Sequence, residues 1–563
     1  MKYVCPIRTN NEHEKEYFNI STGSLEMKER NSYLSNPMKR IVVLIIILSS
    51  FMFQSTAQTW QQSFTAGSTV GGKLLGGSEV LQIVQHKGAL YATVGYWEDG
   101  NNVWYGGSNN SAWGYILKLG SAMGTWQQDH ALGGNNLRPE IIKSVVFTKD
   151  GQGNSLATPD TVLIAAAYSP NFITSGVFVN VFVRNDATSL WDKKLIHQGT
   201  FPAGENYSVR DMEVFTDPIT GKENIYISIG TKGIFTGTYK ASVPGKIVWD
   251  ATPEMSAVSI RPLGIATAND SLYFSSGNKL YQRKNGNSPS YVVAHDFSDL
   301  STNINSAVGG IRGLTTIDNP SGPGDALLLM WCPDGQSKGI IYRLEPNGSG
   351  GFTRVLETTV ATLVQNYLSG STANYVLGAY NEFYEYFNPL TNQTEHLVGF
   401  EATISGGGHP LWQGYYKGAL FAKRDASANY IVEEVDGPIG TNDSALVATR
   451  CYVSSPFGNN ELYFGGFDPN GKRATNKAWI YKKSFWPTDV NDVRTDERIS
   501  VFPNPVSDNL FIRLSRKDAR YEIYSIQGQR ILSGNTGRDH SISVSDLPPS
   551  IYLLKVNGAT LRF

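Results

Sequence analysis

Residues 260–284 read IRPLGIATANDSLYFSSGNKLYQRK. They divide into an apolar strand, a turn, a second strand ending in small residues, a short loop and a third strand carrying a tyrosine. The same unit returns as EVLQIVQHKGALYATVGYW from Glu79 and as VRDMEVFTDPITGKENIYISIGTKGIFTGTY from Val209. Looser copies start at Ile141, Ile311 and Thr449, and the least regular near Leu363 and Leu411. Spacings of roughly 40 to 70 residues between such units indicate short antiparallel sheets arranged around an axis. The expected fold is all-β: a β-propeller of seven or eight blades followed by a small C-terminal β-sandwich. Two stacked sandwiches are the alternative architecture.

A fourth, outer strand follows most units: TWQQDHAL from Thr125, LWDKKLIH from Leu190, IVWDAT from Ile247, YVVAHDF from Tyr291, FTRVLETT from Phe352 and TEHLVGF from Thr394. The last unit, ending at Phe485, lacks one, while TWQQSF from Thr59 nearly repeats TWQQDH. The N-terminal strand is therefore expected to complete the final blade, since an unclosed ring would leave two open sheet edges.

Outside the propeller, expected at 58–486, the polar stretch 487–497 (PTDVNDVRTDE) reads as a linker. Residues 498–563 alternate apolar and polar residues between turn residues, as in a small antiparallel sandwich with no chemistry of its own. Within them stand Phe502-Pro503-Asn504-Pro505-Val506, then Tyr521-Glu522-Ile523-Tyr524 with Gln527-Gly528-Gln529-Arg530, then Leu547-Pro548-Pro549 and Ile551-Tyr552-Leu553-Leu554-Lys555-Val556. Three motifs in this order resemble the type A C-terminal sorting domain of the type IX secretion system of Bacteroidetes. Pro503, Asn504, Pro505, Tyr524, Gly528, Tyr552 and Lys555 carry the likeness, and Ser550 departs from it where the family usually has Gly. The resemblance implies passage across the outer membrane with the secretion machinery as partner, removal of the tail, and attachment to the cell surface or release.

At the other end, Met38-Lys39-Arg40, the apolar run at 41–53 and Ser55-Thr56-Ala57 form a secretory signal peptide over 38–57. The apolar run is shorter than the ~20 residues a spanning helix needs. Residues 1–37 are polar and without periodicity, and are expected to be a leader or a mis-assigned start. No transmembrane segment is expected after signal removal. Lys plus Arg number 48 against 49 acidic residues, so no bulk field draws nucleic acid or an anionic membrane. Cys332 and Cys451 could pair in an oxidising compartment, with lone buried thiols the alternative.

No nucleophile elbow, zinc-binding helix, phosphate loop or metal-spaced cysteine cluster is present, and no cofactor or metal is expected. His409 stands in a glycine loop, Gly406-Gly407-Gly408-His409-Pro410, where it serves either as ligand contact or as turn residue. Arg210, Arg261 and Arg312 each occupy the second position of an inner strand, with Arg450 in a similar place. Such a ring either grips carboxylates, as in acidic sugars, or ties each blade to the next. Trp97, Trp104, Tyr105 and Trp113 lie in a Gly/Asn-rich insertion whose rings suit stacking on sugar faces or packing over the blade. Asp468-Pro469-Asn470-Gly471 reads as a turn and lacks the spacing of a calcium loop. Thr161, Ser271 and Ser444 follow Asp in a pattern resembling the Bacteroidetes O-glycosylation motif, the first two expected at blade turns. The expected function is an exported or surface propeller binding extracellular glycan or another surface ligand. The alternatives are a propeller lyase or glycosidase, with paired carboxylates at one mouth of the channel, and a structural surface component.

Overall fold

The structure, a computed structural model, describes residues 60–563 except 104–105, 109–112, 172–175, 201–206, 257, 389–390, 392, 406–414, 417, 436–445, 468–476 and 485–499. In the tail it also omits 503–505, 507, 514–519, 526–529, 537–540, 549, 551 and 557–558. The signal and linker segments, and the candidate calcium turn, lie outside the described residues.

Each unit forms an antiparallel sheet whose strands follow one another in sequence. Blade 1 is Glu79–His86, Ala89–Gly95, Tyr115–Leu119 and Gln127–Ala131; blade 2 is Arg138–Lys149, Ser155–Asn171, Gly176–Asn185 and Leu190–Thr200. Blade 3 is Met212–Thr216, Glu223–Ile229, Gly233–Tyr239 and Ile247–Trp249; blade 4 is Pro262–Ala268, Ser271–Ser276, Lys279–Lys284 and Ser290–Asp296. Blade 5 is Gly310–Asp318, Asp325–Cys332, Ile340–Pro346 and Phe352–Thr359. Tight turns set these hairpins. Asn269 and Asp270, both at positive φ, join Ala268 to its partner Ser271 in a two-residue turn whose twist matches the strands.

Blade 6 has an interrupted inner strand. Ala373–Gly378 and Tyr384–Asn388 both pair with Gln393–Ile404, which continues to Leu420–Arg424 and Tyr430–Glu434. The TEHLVGF stretch from Thr394 is therefore a second strand and not an outer one. The units near Leu363 and Leu411 are two halves of one blade, which makes the count among the described residues seven. The break in the inner strand had made one blade read as two.

Blade 7 is Ala448–Ser454, Glu461–Phe467 and Trp479–Ser484, completed by Gln61–Thr65, with Gln61 opposite Lys482 and Phe64 opposite Ile480. The N-terminal strand thus closes the last sheet, as its sequence indicated. Neighbouring blades pack in order, and the inner strand of blade 7 lies on that of blade 1, so the ring is closed. The core is distributed between blades: Val80, Ile83 and Val94 of blade 1 pack with Val453, Tyr463 and Ile480 of blade 7, and Ile141 and Val181 of blade 2 with Met212 and Ile227 of blade 3.

A second repeat, invisible in the hydrophobic pattern, joins adjacent blades in pairs. Arg184 on the third strand of blade 2 pairs with Asp129 of blade 1 at 2.9 Å, Arg283 of blade 4 with Glu254 after blade 3 at 2.8 Å, and Arg424 of blade 6 with Glu357 of blade 5 at 2.7 Å. All three guanidiniums are buried, and each clasp has a second partner: Asp186 on Arg184, Asp217 on Arg283 and Arg343 on Glu357. Cys332 and Cys451 are buried and unpaired.

In the tail, Ser500–Phe502, Asn509–Arg513 and Ser541–Ser543 make one sheet, and Arg530–Asn535, Arg520–Ser525, Tyr552–Val556 and Ala559–Arg562 the other. Leu510, Ile512 and Ile542 from the first pack against Ile523, Leu554 and Val556 from the second, which is the core of a sandwich. Tyr552 donates to the Pro548 carbonyl at 2.7 Å, fixing the chain before the penultimate strand.

Candidate functional site

The break in blade 6 carries residues 379–383 out of their sheet to the inner strands of the other blades. Asn381 donates to the carbonyls of Leu81 at 2.6 Å and Arg450 at 3.0 Å, and the Phe383 N–H donates to Thr315 Oγ1 at 2.8 Å. Room for the excursion comes from Gly313: at φ +59° any Cβ there would lie 2.5 Å from Ala379 Cβ and 2.9 Å from the Asn381 carbonyl oxygen. Inner strands also bulge near their starts, between Val80 and Gln82, Pro139 and Ile141, Arg312 and Thr315, and Thr449 and Cys451. Bulges of this kind re-aim side chains that a regular strand would send to alternate faces.

At or just before the starts of the inner strands stand arginines, and Arg138, Arg210 and Arg450 gather about Tyr380. Arg138 forms ion pairs with buried Glu79, 2.7 Å from Nε, and donates to Tyr380 Oη at 2.7 Å. Arg450 reaches the same Glu79 carboxylate from blade 7. Arg210 donates to the Tyr380 carbonyl at 2.7 Å and lies 3.7 Å from the ring centre, and Arg450 lies 4.3 Å from it on a cation–π contact.

Arg261 donates to Ser208 Oγ at 2.6 Å, and Arg312 to the carbonyls of Gly378 and Val308, each at 2.6 Å. Burial and the neighbouring Arg210 bring Arg261 and Arg312 down to about 10. Among the described residues, Arg210, Arg261 and Arg312 make no ion pair with a carboxylate. Each instead bonds a neighbouring or facing blade, the geometry expected of residues that tie blades together.

Further along the same strands a cavity of about 810 Å³ opens, lined by residues 82–85, 143–146, 213–214, 381–385 and 451–453 among others. At its charged wall Lys143 pairs with Asp211 at 2.8 Å, Glu382 at 2.6 Å and Glu213 at 3.3 Å. Burial alone would discharge Lys143, but Asp211, Glu382 and Glu213 outweigh it and hold the ammonium charged. Desolvation pushes Asp211 up to about 7 against the pull of Lys143, and it pushes Glu213 up as well. Val145, Phe383, Tyr384 and Tyr452 supply apolar surface. The arrangement offers carboxylate acceptors beside aromatic walls. Sequence reading missed this cluster because Lys143, Asp211 and Glu382 come from three different blades.

Of the residues singled out in the sequence, Trp97 joins the arginine end: its ring lies 4.9 Å from the Arg138 guanidinium and packs, with Trp113, on the core of blade 1. Trp104, Tyr105, His409 and Ser444 lie outside the described residues, as do Pro503, Asn504, Pro505 and Gly528 of the tail. Thr161 sits within a strand, opposite Val146, and not at a turn. Ser271 does follow a turn, yet it is buried and its hydroxyl accepts from Gln282 at 3.0 Å. Tyr524 and Lys555 lie on paired tail strands, Tyr524 donating to Glu522 at 2.9 Å.

Residues 500–562 match the family described as the secretion system C-terminal sorting domain. The sandwich is thus a type IX secretion tail, while the propeller matches no specific family. No curated protein is similar to the chain at a significant level. Solved structures that the chain resembles include the α-L-arabinofuranosidase Arb93A from Fusarium graminearum, at 11% identity and a TM-score of 0.36 over 76% of this chain and 96% of that one. Sqt1 from Chaetomium thermophilum follows at 10% identity and a TM-score of 0.33, over 72% and 96%. A putative exo-β-1,3-galactanase from Bifidobacterium bifidum matches at 10% and 0.28, over 68% and 99%.

Proposed function

We propose that this chain, exported to the cell surface or the medium by its sorting domain, binds extracellular glycan through its propeller, with the ligand taken into the cavity beside Lys143. The observation that carries this reading is the pairing, in one cavity of about 810 Å³, of the Glu213 and Glu382 carboxylates with the rings of Phe383 and Tyr384. Sugar hydroxyls need acceptors and sugar faces need flat apolar surface, and a volume of this order suits one or two sugar rings. The test is a glycan array and polysaccharide pull-down with the secreted protein. Retention of a polysaccharide by the wild type, with at least a tenfold loss in Glu382→Gln, supports the reading; silence across neutral, acidic and amino sugars removes it.

An enzymatic reading is favoured by one observation, the two carboxylates Glu213 and Glu382 held on a single ammonium. Glycoside hydrolysis uses such a pair, one protonated and one charged. Shortening of the retained polymer would assign catalysis to this site.

A further inference from the structure

Beside the carboxylates, one residue that lines the cavity, Ser144, carries a hydroxyl in a hydrogen-bonded chain that the glycan reading does not use. Ser144, on the inner strand of blade 2, lies with its Oγ 2.8 Å from His86 Nδ1, and His86 Nε2 lies 3.0 Å from Asp186 Oδ2. His86 ends the inner strand of blade 1 and is 2% exposed; Asp186 follows the third strand of blade 2. Lys87 at 2.6 Å and Arg184 at 2.8 Å keep Asp186 ionised, and the edge of the Tyr91 ring closes over the imidazole. A charged Asp186 demands a proton on Nε2, which leaves Nδ1 to accept from Ser144. Burial lowers His86 below its usual value, so this acceptor persists at neutral pH.

We propose that Ser144 is the nucleophile of a serine acyl-transfer site, with His86 as its base and Asp186 as the residue that positions the imidazole, acting on a carboxylic ester bound in the cavity. The roles follow from hydrogen-bond order and not from chain position. Ser144 Oγ attacks the ester carbonyl carbon as its proton passes to His86 Nδ1. The bond from that carbon to the alcohol oxygen then breaks, and the alcohol leaves with the proton. Water adds to the acyl-serine, giving its proton to Nδ1; the carboxylic acid departs as Ser144 Oγ is reprotonated. Gln82 lines the same cavity with its Oε1 engaged by the Ile142 N–H at 2.9 Å, which leaves its amide hydrogens to meet the oxyanion.

The inference rests on the cavity as a ligand site and not on the ligand being a glycan. The test treats the full chain with a biotinylated fluorophosphonate and maps the label by peptide mass spectrometry, alongside hydrolysis of p-nitrophenyl acetate. Label on Ser144 is expected, lost in Ser144→Ala and at least 100-fold slower in His86→Gln, with hydrolysis falling in parallel. Should those variants unfold, Ser144→Cys keeps the shape, and iodoacetamide should alkylate it faster than it does the buried Cys332 and Cys451. An unlabelled Ser144 in folded protein, or labelling undiminished by His86→Gln, would overturn the proposal. Labelling needs no glycan, so its failure leaves glycan binding untouched, and failure to retain glycans leaves labelling untouched.

Discussion

The Arg210 guanidinium lies 3.7 Å from the centre of the Tyr380 ring and bonds the carbonyl of the same residue, so blade 3 holds a residue that belongs to blade 6. Tyr380 is thereby a tie between blades that do not adjoin. Its hydroxyl, accepting from Arg138, contributes about 1 kcal/mol, and truncation to Ala forfeits the ring contacts as well, about 3–5 kcal/mol. Urea unfolding should place Tyr380→Phe close to wild type and Tyr380→Ala well below it.

The Lys143 cluster gives the protein a pH dependence of definite sign. Asp211 titrates near 7 when folded against an ordinary value of 3.8, so between these limits the native state binds the extra proton. Stability therefore falls as pH rises from about 4 to about 7, and Asp211→Asn should flatten that slope in unfolding curves recorded across the window. Lys143→Met leaves three carboxylates uncompensated and should cost about 3–5 kcal/mol at pH 7, less at pH 5.

Closure of the ring depends on Phe64, buried opposite Ile480. Phe64→Asp places a charge in that seam and should release the N-terminal strand, exposing the edge of Trp479–Ser484. Size-exclusion chromatography should then show association, with a melting temperature lowered by 10 °C or more on the scale of a few kcal/mol.

Removing residues 498–563 should abolish appearance outside the cell while leaving the propeller folded. Fractionation of the producing cells, with limited proteolysis of the retained product, would check both halves of that expectation.

Much of the ring was legible because each hairpin announces itself by alternation and turn residues, as at Asn269-Asp270, and because the near-repeat TWQQ betrayed the closing strand. Blade 6 was not, since local pattern cannot tell a strand interrupted by a five-residue excursion from two separate strands. The site was harder still. Arg210, Arg261 and Arg312 were legible as a set because they recur at one position of the repeat. The groups they bond, among them the Tyr380 and Gly378 carbonyls and the Ser208 hydroxyl, carry no sequence mark at all. Lys143, Glu382 and the Ser144–His86–Asp186 chain are brought together only by closing the ring, and no linear spacing encodes them.

The strand Gln61–Thr65 that completes blade 7 is joined to it across 419 residues, the separation of Tyr481 and Gln62. A chain threaded through a membrane from its N-terminus delivers this strand first and its partner last. Its own opening segment must therefore wait, unpaired, through the arrival of every other blade. Contacts of such long range form late and slowly. The ring can therefore close only once Trp479–Ser484 has been synthesised, so the first segment of the propeller to be made is the last to find its place.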